Sequence, residues 1–192
     1  MTSISLKCLR LATLVWLSVW GFSACDTSGG LFPASVPNVV DTVTLYALRG
    51  TPLTAPSAFD IIFGQSARTD KGEVFDFAFD ISAAGDPLII PAGVLGLAPE
   101  AGILLSDESF EAIERAPDKD YTVDSTFTVS TGDVFIGRSR NSSTLCVYLG
   151  SLPRYGKFHV LALDSQERSV TLEFLVNSNC GFRSLEPGIP TS

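Results

Sequence analysis

Short runs of alternating apolar and polar residues cover most of the chain after residue 38, and this alternation is the period of side chains on a β-strand. The runs are rich in β-branched and aromatic residues and are separated by turn formers such as Gly, Asp and Asn. Nine predicted strands result: 39–48, 58–63, 74–81, 87–90, 121–130, 133–138, 144–149, 157–163 and 169–176. Short strands at this spacing predict an all-β fold, an antiparallel β-sandwich or a barrel-like variant of about nine strands.

One segment departs from the period of two. Ser106 is a suitable N-cap, acidic residues follow it in what would be a first helical turn, and Phe110 and Ile113 share one helical face. The pattern predicts one short helix over 107–115, packed on a sheet. Glycine and proline spread through 91–102 indicate an irregular crossing between the sheets.

The amino terminus has the layout of a signal peptide. Lys7 and Arg10 precede an uncharged, apolar stretch from Leu11 to Ala24. As a helix, these fourteen residues would be about 21 Å long, whereas the hydrocarbon core of a bilayer is about 30 Å thick. The length disfavours a permanent span, and residues 1–24 are predicted to be a removable signal peptide.

The stretch ends in Phe22-Ser23-Ala24-Cys25, which resembles the lipobox of bacterial lipoproteins, with Phe22 at a position where leucine is usual. The resemblance implies that the Cys25 sulfur receives a diacylglyceryl group and that the signal is cut before this residue. Acyl chains contribute about 0.8 kcal/mol per buried methylene, so two or three anchor a protein stably. The implied location is extracytoplasmic, in a bacterial cell envelope.

Two points about the anchor stay open. Asp26 resembles the signal that keeps lipoproteins of enteric bacteria in the inner membrane, but other phyla do not all follow that rule, so the choice of membrane is undecided. An ordinary secretory signal cut near Cys25, or an uncleaved anchor, are the alternatives to lipidation.

The mature chain is expected to form one domain. Cleavage before Cys25 leaves 168 residues, enough for one substantial core. Residues 25–38 are rich in Gly, Ser and Pro and predict a lipidated cysteine with a flexible tether, which would extend to roughly 40 Å. A single β-rich domain over 39–182 and an extended tail over 183–192 complete the prediction.

The charge balance disfavours some partners. The whole chain has a net charge of −8, and loss of Lys7 and Arg10 with the leader leaves 11 basic and 21 acidic residues, or −10. Such a surface repels nucleic acid and anionic headgroups. We therefore predict no nucleic-acid partner, and contact with the membrane only through the lipid on Cys25.

Two further cysteines remain in the mature chain, Cys146 and Cys180. Outside the cytoplasm such a pair is expected to be a disulfide. Closing a loop of about 35 residues would stabilise the fold by roughly 4 kcal/mol. A zinc or redox site is disfavoured, because the chain has a single histidine and no Cys-x-x-Cys.

The most regular run is Val74 to Ile81, in which phenylalanines alternate with Asp76, Ala78 and Asp80. We expect an amphipathic strand whose two aspartates lie on the solvated face. The alternative is a carboxylate pair for cation binding or acid/base chemistry. Because residues four apart on a strand are about 13 Å apart, that alternative requires partners from neighbouring strands.

Other candidate residues are weaker. Asp118, Asp120 and Asp124 form an acidic cluster without the spacing of an EF-hand, so we expect a surface turn, with a calcium loop as the alternative. His159, the only histidine, has no recognisable nucleophile motif to serve and is expected to be structural.

Arg138 and Arg140 are expected to be solubilising surface residues, with the gripping of an acidic group as the alternative. Both tryptophans lie in the leader, so the candidate platforms for a sugar are tyrosines: Tyr46, Tyr121, Tyr148 and Tyr155. No nucleotide-binding motif is present, and no cofactor, metal or catalytic residue is predicted.

Three functions compete. The first is a non-enzymatic envelope lipoprotein that presents a surface to another protein or coats the envelope. The second is a module that binds a small ligand or glycan, and the third is an extracytoplasmic hydrolase with clustered carboxylates. A deep pocket that collects Asp76, Asp80, Asp120 or tyrosines favours the second or third, whereas a filled sandwich favours the first.

Overall fold

A computed structural model describes residues 33–141 and 151–191. The leader, Cys25 and the first part of the tether lie outside these residues, as do the predicted strand 144–149 and Cys146 within it. Among the described residues, no helix is long and apolar enough to cross a membrane.

The described residues form ten strands and two single-turn 3₁₀ helices. The helices are Thr69–Lys71 and Ala92–Leu95. The strands are β1 (Val40–Tyr46), β2 (Ala58–Asp60), β3 (Gln65–Ala67), β4 (Phe77–Ile81), β5 (Pro87–Pro91), β6 (Gly102–Ser106), β7 (Phe127–Thr128), β8 (Val134–Arg138), β9 (Tyr155–Asp164) and β10 (Ser169–Asn177).

The strands belong to two five-stranded sheets. The first sheet has the order β1-β10-β9-β8-β6 and the second the order β3-β2-β4-β5-β7. Every pairing of strands in both sheets is antiparallel. The two sheets pack as a sandwich, which confirms the predicted all-β, antiparallel fold class.

Phenylalanine rings from both sheets fill the space between them. Phe59 and Phe77 of the second sheet stack at 5.5 Å between ring centroids. Both meet Phe158 of the first sheet edge-on, at 5.2 and 5.1 Å. Phe158 in turn stacks on Phe135 at 5.0 Å. Offset and edge-to-face contacts of this kind add about 0.5–1.5 kcal/mol per pair to the burial of the rings, so this cluster helps to hold the two sheets together.

A second apolar layer covers the outer face of the first sheet. Phe110, Ile113 and Ala116 lie in the connection between β6 and β7, and Leu185 lies in the carboxyl-terminal segment. All four are buried against side chains of β8, β9 and β10: Val134, Ile136, Tyr155 and Leu175. Both faces of this sheet are therefore covered over part of its area.

The predicted helix over 107–115 is wrong. This segment contains turns, with the amide of Ala112 bonded to the carbonyl of Ser109 at 3.1 Å. The carbonyls of Phe110 and Ile113, which a helix would use internally, accept hydrogen bonds from Lys157 Nζ at 2.7 and 3.0 Å. Tertiary partners outside the segment thus replace the helical bonds, although Phe110 and Ile113 both face inward as the helical pattern predicted.

Two strands were not predicted, β3 and β6. β6 has the sequence GILLS, an apolar run without alternation, and begins in the predicted irregular crossing. Its first residue must be glycine, because a Cβ at Gly102 would lie 2.8 Å from the Cβ of Tyr121. In contrast, the predicted strand 121–130 contains only the two-residue β7 and an isolated bridge from Thr122 to Ile103.

Both ends of the described chain are fixed to the domain. The amides of Ser35 and Val36 donate to Asn179 Oδ1 at 3.0 and 3.1 Å, and Asn38 forms a β-bridge with Gly188. The last part of the predicted tether is thus attached to the domain rather than free. Likewise, the predicted extended tail contains Leu185, which is fully buried.

Candidate functional site: a buried ion cluster and an edge-strand groove

Charged side chains from both sheets meet in a buried ion cluster of Asp60, Asp76 and Arg140. Asp60 ends β2, Asp76 immediately precedes β4, and Arg140 follows β8 by two residues. The Arg140 guanidinium contacts Asp76 Oδ2 and Asp60 Oδ2, each at 3.0 Å, and its backbone amide donates to Asp76 Oδ1 at 2.7 Å. One arginine that follows a strand of the first sheet therefore forms ion pairs with two carboxylates from the second sheet.

The carboxylates have further donors. The amide of Ile61 donates to Asp76 Oδ2 at 2.7 Å, and the amides of Ile62 and Phe63 donate to Asp60 Oδ1 at 2.9 and 3.3 Å. All four carboxylate oxygens therefore accept at least one hydrogen bond from the chain itself. This saturation is typical of a structural ion cluster, because buried charges are stable only when paired and hydrogen-bonded.

Burial and ion pairing have opposite effects on the pKa values of the cluster. The Asp76 residue is only 1% exposed, and desolvation raises the pKa of its carboxyl to about 6, against the opposing effect of Arg140. Desolvation also acts to lower the pKa of Arg140, but its bonds with Asp60 and Asp76 outweigh that effect and raise it. Nearby Arg154 donates to the carbonyl of Ile62, and burial lowers the pKa of its guanidinium.

The prediction that Asp76 and Asp80 lie on a solvated face is wrong. Asp76 lies in the ion cluster, and Asp80 is 2% exposed and accepts from Arg49 Nε at 2.6 Å. The physical reason is a buried apolar layer on this face of the second sheet, formed by five alanines and one phenylalanine: Ala58, Ala67, Ala78, Ala92, Ala101 and Phe75. Phe75 belongs to this layer, because the chain is not yet in strand geometry there, and so it does not share the face of Phe77.

The alternative interpretation of these aspartates, a carboxylate pair with partners from neighbouring strands, agrees with the structure in one respect only. A partner carboxylate does come from a neighbouring strand, since Asp60 lies beside Asp76, but Asp80 is paired separately with Arg49. Sequence reasoning missed Asp60. Its signal was a lone carboxylate inside the apolar run Ala-Phe-Asp-Ile-Ile-Phe, where a buried charge requires a partner.

The two candidate arginines have different roles. Arg140 binds acidic groups, in agreement with the alternative interpretation, but these are the carboxylates of Asp60 and Asp76 in its own chain. Arg138 donates from Nε and from a terminal guanidinium nitrogen to the carbonyl of Glu100 at 3.3 and 3.1 Å. Its guanidinium also lies 5.0 Å from the ring centroid of Tyr121.

The other candidate residues do not converge. Asp118 pairs with Arg183 at 3.1 Å, and Asp120 adopts a left-handed backbone conformation with φ of 71°. Within residues 33–141 and 151–191, no group of three or more acidic, histidine or cysteine side chains is placed to hold a metal ion. His159 lies opposite Glu173 on the neighbouring strand, and their side chains meet at 3.3 Å as a partly exposed cross-strand pair.

The described tyrosines do not form a platform for a sugar. Tyr155 is 6% exposed, and Tyr121 donates its hydroxyl to the carbonyl of Pro117 at 3.1 Å. Burial raises the pKa of both phenols. Tyr46, at the end of β1, is partly buried, and Tyr148 lies outside the described residues. Cys180 follows β10 by three residues, but its predicted partner Cys146 is also outside them, so the disulfide stays a prediction.

A buried lysine was not foreseen from the sequence. Lys157 lies on β9 and is 3% exposed. Its Nζ donates to the two carbonyls of the turn segment and lies 4.5 Å from the ring centroid of Phe110. Desolvation lowers the pKa of this amine. The side chain holds the connection between β6 and β7 against the outer face of the first sheet.

That connection and β6 form the walls of a surface groove of about 400 Å³. Its floor is apolar, with Leu104, Ile113 and Ile136, and Leu105 of β6 also lines it. Acidic residues line it as well: Asp107, Glu108 and Glu114, all exposed, with Arg115 as the one basic residue among the described lining residues. The groove is therefore an apolar concavity with a predominantly acidic rim.

The outer edge of β6 opens beside this groove. Ile103 exchanges two hydrogen bonds of 2.9 Å with Thr122 across that edge. In an antiparallel ladder, residues of a strand face alternate sides, so Leu105 directs its N–H and C=O to the same outer edge as Ile103. Asp120 would pair with Leu105, but its left-handed φ of 71° turns the chain away. Among the described residues, the Leu105 amide and carbonyl have no backbone partner at this edge.

Comparison of the chain with protein-family models and with curated proteins gives no match.

Proposed function

We propose that this chain is a lipid-anchored, extracytoplasmic protein of the bacterial cell envelope that acts by binding another protein rather than by catalysis. The anchor is inferred from the leader and its Phe-Ser-Ala-Cys ending at Cys25. The interaction role is inferred from the described domain, and one observation carries it. The space between the sheets is filled by phenylalanine and aliphatic side chains, and the buried aspartates have their own arginine partners.

The competing functions receive less support from the same residues. A hydrolase needs carboxylates that face substrate, whereas Asp60, Asp76 and Asp80 are buried and bonded within the chain. A glycan module needs exposed aromatic rings around a concave site, and none of the tyrosines that the structure describes lines the groove. The groove instead combines an apolar floor with an open strand edge, which are features of surfaces that bind polypeptide.

The anchor is tested by metabolic labelling with radioactive palmitate in a bacterium that processes lipoproteins. We expect label in the wild-type protein and none in Cys25→Ser, whose leader should also stay uncleaved. Cys8→Ser is the matched control, because Cys8 lies in the leader and its loss should leave labelling unchanged. Undiminished labelling of the Cys25→Ser variant would refute lipidation at this residue.

A further inference from the structure

We infer that the outer edge of β6 and the adjoining groove bind an extended, basic segment of a partner protein, which adds to the first sheet as a sixth strand. This inference rests on the proposed interaction function and deepens it, because it names the surface and the chemistry of the partner. Three independent features carry it: the open edge at Leu105, the apolar floor of the groove and its acidic rim.

The open edge supplies the main-chain contacts. Among the described residues, β6 is the last strand of its sheet, and the segment that pairs with its outer side at Ile103 does not pair with Leu105. The N–H and C=O of Leu105 have no backbone partner within this part of the chain, so an incoming strand could bond to them in line with the bonds already made by Ile103. Such groups are templates for strand addition, and natural sheets commonly cover or interrupt them.

The groove supplies a place for side chains. One residue of an added strand would lie opposite Leu105 and share its face of the sheet. The residues before and after it would point to the other face, on which Leu104 lies. That is the face of Ile136 and Ile113, which form the apolar floor. An aliphatic side chain at either of these positions would leave water and contact the floor, and each such burial contributes to affinity.

The rim selects the charge of the partner. The exposed residues Asp107, Glu108 and Glu114 line the groove, and Arg115 is the one basic residue among the described lining residues. Lysine or arginine next to the buried side chain would be attracted, and acidic segments would be repelled. A second copy of this chain is disfavoured as the occupant, because pairing of two β6 edges would bring the same carboxylates together.

The test uses the purified full chain in detergent and a fluorescent decapeptide of alternating lysine and valine, with the glutamate–valine decapeptide as its counterpart. In the free protein, we expect the Leu105 amide to exchange quickly with deuterium, while the Leu104 amide, which faces β8, is protected. The lysine–valine peptide should slow exchange at Leu105 at least tenfold, and the glutamate–valine peptide should not. Unchanged exchange at Leu105 with saturating lysine–valine peptide would overturn the inference.

Two sets of variants separate charge from edge pairing. Reversal of the rim by Asp107→Lys, Glu108→Lys and Glu114→Lys should weaken binding of the lysine–valine peptide at least tenfold. The matched control reverses three exposed acids elsewhere: Asp41, Asp124 and Glu167. This control should change the dissociation constant of the lysine–valine peptide less than threefold. An equal loss of affinity in both sets of variants would mean that net charge alone controls binding, and would contradict a specific site.

Leu105→Pro removes the outward amide without touching the bonds to β8, whereas Leu105→Ala keeps the amide. We expect only the proline variant to lose peptide binding, with circular dichroism and thermal melts used to establish that both fold. If Leu105→Pro is unfolded, the exchange experiment on the wild-type protein still tests whether a strand pairs with this edge.

The oligomeric state gives a further test. If sedimentation reveals a dimer that dissociates when the charges of the rim are reversed, the edge binds a second copy of the chain and the inference is overturned. Palmitate labelling is independent of these results, so failure of the groove and failure of the anchor are distinguishable.

Discussion

Replacement of Arg140 by glutamine is the sharpest test of the buried ion cluster. The substitution removes the cation that bridges the two sheets and leaves Asp60 and Asp76 side by side in the interior. Both carboxylates would keep their bonds from backbone amides, because the amides of Arg140, Ile61 and Ile62 are unaffected. The variant therefore isolates the contribution of the guanidinium.

The expected loss is large. Removal of one partner from a buried ion pair costs about 3–5 kcal/mol, because the remaining charge stays desolvated without compensation. The Arg140 side chain is 15% exposed and the Asp76 side chain 1%, so solvent screens this interaction weakly. Since a domain of this size is stable by about 5–15 kcal/mol, the variant should lose a substantial part of its free energy of unfolding at neutral pH.

The loss should depend on pH. The pKa of Asp76 is about 6 in the folded protein against 3.8 for an ordinary aspartate, so folding favours its protonated form. Its stabilising contribution is full below about pH 4 and is lost as the pH rises through about 6, a change of about 3 kcal/mol at 1.4 kcal/mol per unit. Without Arg140 the folded-state pKa rises further, so the deficit of the variant should be larger at pH 7.5 than at pH 5.

Urea unfolding of Arg140→Gln and the wild type at both pH values measures this difference. Arg138→Gln is the matched control, since Arg138 lies two residues away and makes its contacts at the surface. We expect the control to lose about 1 kcal/mol or less at either pH. A loss in Arg140→Gln that is equally small, or a deficit that is the same at pH 5 and pH 7.5, would refute the assignment of a buried, desolvated cluster.

Two further predictions concern the core and the cysteines. Phe77→Ala should lower the free energy of unfolding by about 3–5 kcal/mol, because Phe77 is fully buried between the sheets. Phe63→Ala is the control and should lower it by about 0.5 kcal/mol, because Phe63 is 58% exposed. Equal losses in a denaturant titration would contradict the described core. Mass analysis after alkylation should find Cys146 and Cys180 unmodified until a reductant is added, and immediate modification of both would mean that they are free thiols.

The period of two located some strands closely, but an alternating run is not always a strand, since 121–130 contains only β7. The predictions 133–138 and 169–176 differ from β8 and β10 by one residue, since both strands have core residues on one side that fix their register. β6 was not predicted because its sequence, Gly-Ile-Leu-Leu-Ser, does not alternate between apolar and polar residues. Strand periodicity contains no information about such a run, which only its pairing with β8 defines.

The burial of Asp76 shows a second limit of the sequence. Alternation correctly separates the phenylalanines of β4 from the aspartates, but it does not reveal what lies on the other side of the sheet. The alanines buried on this face come from β2, β3, β4 and the crossing after β5, and they meet only in three dimensions. The partner Arg140 is 64 residues from Asp76 along the chain. The sequence pattern therefore predicts a solvated position for Asp76, although this residue is buried.

The last residue of the predicted tether, Asn38, is connected to the groove through the carboxyl-terminal segment. The side-chain amide of Asn38 donates to the carbonyls of Ser184 and Glu186, at 3.2 and 3.0 Å. In turn the amide of Leu185 donates to the carbonyl of Glu114, in the wall of the groove, at 2.7 Å.

Because the chain is bound to the domain from Ser35 onward, only residues 26–34 would separate a lipid on Cys25 from the domain, a reach of about 30 Å at most. Under the proposed lipidation of Cys25, attachment of the chain at Ser35 thus makes the free tether about a quarter shorter than the roughly 40 Å expected if all of residues 26–38 were free.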